Sequence, residues 1–317
     1  MTNKSVEELL EEYARARSIG SKQNIRLRHF TAYAEEEAKT SLPDSVSHIL
    51  RNWINLFDEA IGWFALATAV VQRILREWDD VPLVETKRFT ATQILIPRVF
   101  QDGLAIRALI LNGCEPQARV LLRSSLEHLD LLSVISSDEE IADQFLSCKD
   151  NSESNLFWNK HIRRGRLLAR VIDVADLRIN FGAIYSRLRK EENDVHSLFA
   201  HPSVLAALCG IFRDNQEDSS VFSRQATEAS IRSIHILLAG MMIAAFETDD
   251  LIQQALSEQN LRVTGSEGWG GVAKQQLADG KLSLFELIII ANDPENSELF
   301  EGTAGQQYEI DEAKGRP

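Results

Sequence analysis

The chain has 317 residues, 44% of them hydrophobic and 26% charged, which suits one large globular domain or two modest ones and excludes global disorder. A formal net charge of −13 excludes a protein that coats nucleic acid over its whole surface, because phosphate neutralisation drives such binding. Three widely spaced cysteines, Cys114, Cys148 and Cys209, with no CxxC pair, exclude a disulfide framework and a zinc knuckle and fit a reducing, cytoplasmic setting.

The opening "MTNKSVEELLEEYARAR" is acidic and amphipathic and lacks the apolar stretch of a signal peptide, so residues 1–44 are expected to form an N-terminal helical arm. Next, Ile49, Trp53, Phe57, Ile61, Phe64, Thr68, Val71 and Leu75 step by three or four, which predicts a long amphipathic helix. Two uncharged runs, "AIGWFALATAVV" (60–71) and "IHILLAGMMIAAF" (234–246), fall short of the ~20 residues a bilayer requires. They read as buried core helices, and no membrane partner is expected.

Residues 92–111 are helical in pattern, with Pro97 opening or kinking the helix and Asn112-Gly113 stopping it. Pro116 suits the first turn of the following helix, which runs to about Val134. "SDEE" (137–140) has the form of a capping box, with Ser137 as N-cap and Glu140 three residues on. Further helices are expected at 154–174, 180–200, 203–212 and 221–247, and no run alternates in the manner of a strand. The expected fold is therefore all-α, an antiparallel helical bundle or array over residues 45–250. After residue 250 a Gly-rich loop, "VTGSEGWGG", precedes a short helical stretch, "LSLFELIIIAN", and a polar end, so residues 251–317 read as a C-terminal extension.

Phosphate loops, dinucleotide fingerprints, nucleophile elbows, HExxH and EF-hand loops are missing from the sequence. None of the seven histidines has a glutamate three residues before it, so the Glu-x-x-His pairs of a di-iron bundle are missing too. No cofactor and no metal are expected.

Three groups of residues remain. In residues 160–190 nine Lys or Arg face two Asp, a local balance of +7 that leaves −20 on the remainder. Such residues form a solvated helix face or a phosphate-binding surface, and Arg163, Arg164 and Arg166 are its candidates for contacting RNA. In "ARVLLRSSLEHLDLL" (118–132), Arg123, Glu127 and Asp130 line one strip. Arg123 and Glu127 either form an exposed i,i+4 pair or turn inward as a polar centre with a partner from another helix. In "RKEENDVHSLFAHP" (189–202), Arg189, Asn193 and His196 share a strip beside an apolar face, and His201 precedes Pro202. A histidine exchanges protons near neutrality and an arginine fork suits phosphate oxygens, the two functions that metal-free RNA cleavage needs. One such pair, two helical turns apart, would close on a phosphate only across a homodimer axis.

The segments "ALILNGCEPQARVLLRSSLEHLDLL" (108–132) and "YSRLRKEENDVHSLFAHPS" (185–203) resemble a bacterial all-helical family known as a domain of unknown function. The shared features are a Gly-then-Ala-x-x-Leu-x-Arg-Ser-x-x-Glu helix and a later Tyr-rooted helix that ends in histidine. The Arg189-to-His196 spacing also resembles the R-x(4–6)-H motif of HEPN domains, helical bundles of toxins and phage-defence ribonucleases, although Lys190 stands where those enzymes carry Asn, Asp or His. The resemblance implies a metal-independent endoribonuclease, with Arg189 as phosphate stabiliser and His196 as general acid/base. In that reading Arg123, Glu127, Asn193 and His201 form the supporting polar centre. The competing expectations are a non-catalytic interaction or regulatory module, binding a protein through its acidic surface or C-terminal extension, and a small-molecule-binding bundle around Arg123, Glu127 and His196.

Overall fold

The computed structural model describes residues 48–77, 86–112, 114–190, 228–260 and 269–291. They form eight α-helices, with no strand among the described residues: α1 (His48–Glu77), α2 (Lys87–Leu111), α3 (Glu115–Ser137), α4 (Glu139–Leu146), α5 (Asn151–Phe157), α6 (Arg166–Ile179), α7 (Glu228–Asn260) and α8 (Trp269–Ala291). A π-helical turn, Trp158–Ile162, and a 3₁₀ turn, Arg163–Gly165, join α5 to α6, and residues 182–190 are helical as well. The expected all-α bundle is the fold of this chain.

α3 is the central helix, packed on α2, α7 and α6, while α1 closes the bundle against α2, α7 and α8. The stripe on α1 explains why: Trp53, Phe57, Ile61, Phe64 and Val71 are all buried in one continuous core with Leu122, Leu129, Ile236 and Met242. Each such side chain stabilises the fold by roughly 1.5–3 kcal/mol. Two helices, over Asn52–Arg76 and Ser230–Ser257, are long and apolar enough to cross a membrane, but most of each is buried inside the bundle. Core burial accounts for their apolarity.

Local chemistry corrects several boundaries. α2 starts five residues before the expected 92, at Lys87, because Thr86 caps it by accepting from the Phe89 amide. Pro97 lies inside α2 rather than opening it. The N-cap after α3 is Asp138, whose carboxylate accepts from the Ile141 amide, while the Ser137 hydroxyl bonds back to the Ser133 and Val134 carbonyls. A free carboxylate is the better cap here, since the preceding helix has already claimed the hydroxyl. The single helix expected over 154–174 is broken at Arg164 and Gly165, which both take the left-handed conformation.

The boundary expected at residue 250 falls within α7, which runs unbroken to Asn260. α8 is longer than the short helix expected there, and its Ala273, Leu277, Leu284 and Ile288 enter the same core. Trp63 on α1 donates its indole N–H to the Leu277 carbonyl, so part of the expected extension is built into the bundle. Residues 1–44, the helix expected at 203–212 and the polar end lie outside the described residues.

Candidate functional site

Asp130 sits in the apolar run "LDLL" of the central helix and is only 2% exposed. A buried carboxylate is costly without partners. Tyr185 and Arg189, one turn apart in the 182–190 segment, supply them. The Tyr185 hydroxyl donates to Asp130 Oδ1 at 2.7 Å, and Arg189 Nη1 donates to Asp130 Oδ2 at 2.8 Å and to the Tyr185 oxygen at 2.9 Å. α7 closes over this centre with a glycine: a Cβ on Gly240 would stand 3.2 Å from the Tyr185 hydroxyl oxygen.

Burial pushes the Asp130 carboxyl above its ordinary value, against the pull of Arg189 and Tyr185. Burial also pushes the Tyr185 phenol up, which fixes it as a neutral donor. Arg189 goes the other way: burial would lower it, but Asp130 beside it holds the guanidinium charged. Because arginine stays protonated in proteins, we read the centre as an ion pair bridged by a phenol.

This arrangement bears directly on the Arg189 assignment. Its side chain is 10% exposed and committed to Asp130, so contact with a scissile phosphate would require breaking a buried ion pair. Arg189 positions the helix that carries it. Asn193, His196 and His201 lie outside the described residues.

Arg123 and Glu127 are not brought to this centre. They face each other across 3.9 Å on the outside of α3, with side chains 60% and 37% exposed. Arg123 and Asp130 share a strip, but the Tyr185–Arg189 segment covers it only at the level of Asp130. The geometry is the exposed i,i+4 pair, worth a few tenths of a kcal/mol.

Arg163, Arg164 and Arg166 are brought together, at the break between α5 and α6. Phe157, His161 and Leu167 are the buried anchors of this knuckle, and the three arginines are exposed, with Arg163 Nη1 donating to Asn159 Oδ1 at 3.0 Å. The His161 ring lies against the Phe157 ring at 4.9 Å, and its Nε2 donates to Gln144 Oε1 at 2.8 Å, which also accepts from Lys160 Nζ. Desolvation, with Lys160 and Arg170 nearby, lowers the His161 pKa below its ordinary value. Arg166 Nη1 donates to the Asn159 and Lys160 carbonyls, and Arg163 lies over the exposed Trp158 ring at 5.9 Å. Residues 158–170 carry five basic side chains and no acidic one. Arg170 is paired with Asp138 at 3.5 Å, and the remaining basic groups with an indole beside them have the chemistry that suits phosphates.

Among the described residues no cluster of three or more His, Cys, Asp or Glu is placed to hold a metal ion. No family model, curated protein or solved structure matches the chain. The fold thus defines the class, an all-α bundle. Sequence reasoning did not anticipate the Asp130–Tyr185 contact, because i,i+4 spacing places Tyr185 and Arg189 on one helix face but does not identify what lies against it. It also passed over Trp158, whose place next to the arginines depends on the π-helical turn.

Proposed function

We propose that this chain is an RNA-binding helical protein, which contacts phosphates through the basic knuckle of residues 158–170. The observation that carries the reading is the cluster of exposed Arg163, Arg164 and Arg166 on a chain of net charge −13. A basic patch on an acidic protein directs polyanions to one place and repels them elsewhere. RNA is chosen as the polyanion because the Arg189-to-His196 spacing resembles the HEPN motif. The commitment of Arg189 to Asp130 favours binding over cleavage.

The test is a titration of labelled single-stranded RNA at low salt in EDTA. The wild-type chain is expected to bind it and leave it intact. Replacing Arg163, Arg164 and Arg166 together by Gln is expected to weaken binding at least ~10-fold and to flatten the log–log salt dependence by about 2, at ~0.7 for each phosphate no longer neutralised. Unchanged affinity in the triple variant, or no binding by the wild type, contradicts the proposal. RNA cut in EDTA to 2′,3′-cyclic phosphate ends, with cutting abolished by His196→Ala, would replace binding by metal-independent endoribonuclease action.

A further inference from the structure

A different arginine and histidine are held together elsewhere, at the surface between α2 and α3. Asp102 lies in the middle of α2 and is 4% exposed. Its two oxygens serve two partners. Arg98, one turn earlier, approaches Oδ1 through Nε at 3.0 Å, and His128 of α3 approaches Oδ2 through Nδ1 at 2.8 Å. Both partners reach solvent, with side chains 51% and 27% exposed. The carboxylate only accepts, so the proton of that hydrogen bond is on His128 Nδ1, and in the neutral ring Nε2 is the acceptor. A buried carboxylate that fixes the tautomer of a partly exposed imidazole is the arrangement that presents Nε2 for proton exchange. Arg98 adds a guanidinium that is half-exposed and paired through Nε with Asp102 Oδ1. The nearest carboxylate along α3, Glu127, is paired with Arg123 and does not neutralise the site.

We propose that Arg98 and His128, mounted on Asp102, form a phosphate-binding acid–base site. The guanidinium binds the phosphate oxygens, and His128 Nε2 donates its proton to the phosphate or takes one from it. Phosphate suits the pair because its oxygens match a guanidinium fork and it can accept or give up a proton at the imidazole nitrogen. The site does not rest on the RNA reading, since none of its residues belongs to the knuckle and inorganic phosphate suffices to test it.

The experiment is long-range proton–nitrogen NMR of the histidine rings in the full chain, with His128 assigned from the His128→Gln variant. At about pH 8 His128 is expected in the Nδ1–H tautomer. Inorganic phosphate added at about pH 6 is expected to shift the His128 signals saturably, and Arg98→Gln to weaken that binding ~10-fold. Arg98 is half-exposed, so this variant should keep its fold, which circular dichroism checks. An Nε2–H tautomer, no saturable shift, or equal phosphate binding in Arg98→Gln overturns the proposal. Loss of this binding with RNA binding retained overturns the site alone, and the reverse overturns only the RNA reading.

Discussion

Asp130 illustrates how one residue can be structural or functional according to what covers it. The strip from Arg123 to Asp130 was visible in the sequence, but the end that turns inward was not. That depends on which helix crosses α3 there, and helical spacing carries no information about crossings. With Tyr185 and Arg189 in place, Asp130→Ala leaves a guanidinium buried without its counter-charge and is expected to cost about 3–5 kcal/mol in urea unfolding. The double variant Asp130→Leu with Arg189→Met removes both charges and should recover most of that loss. A single variant as stable as the wild type would mean that water reaches the centre.

His161 makes a second prediction at this scale. Its folded pKa is lowered, chiefly by burial, so the unfolded chain binds the proton more readily. The stability it contributes is therefore complete above the ordinary histidine value, about 6.5, and is lost as pH falls through it toward the lowered one. The wild type should lose stability relative to His161→Gln between about pH 7 and pH 5. Parallel pH profiles for the two proteins would refute this.

Among the elements, α1 was the most legible, because its stripe is long and regular, although the helix is buried all round over residues 60–68. The connection from α5 to α6 was the least legible. Apolar spacing continues across it, while Arg164 and Gly165 change the backbone course through their positive φ. The α3–α7 contact was hidden for another reason: Gly240 lies within an apolar run, where nothing in the sequence distinguishes a close crossing from a loose one. A Cβ there would also meet Leu129 Cδ1 at 3.3 Å. Gly240→Ala should thus destabilise by about 1–3 kcal/mol despite its better helix propensity. A stabilised Gly240→Ala variant would show that α7 can move away from α3 at no cost.

For the whole molecule, composition and periodicity were enough for the all-α class, but not for the limits of its core. The Gly-rich loop and polar end after residue 250 suggested a separate extension, yet α8 supplies Leu277 and Leu284 to the common core. Charge segregation has the same scale: five basic side chains gather at one knuckle of an acidic protein, and the buried Arg189 is not among them.

If RNA is held by this knuckle and Arg189 belongs to the fold, the two roles can be separated in one variant. The RNA affinity of Asp130→Leu/Arg189→Met, measured beside the wild type at low salt, separates them. A folded protein that binds RNA within about 2-fold of the wild type is expected, since the lost charges touch no phosphate. A folded double variant whose RNA affinity falls ~10-fold or more would contradict this, because Arg189 would then be contacting the phosphate.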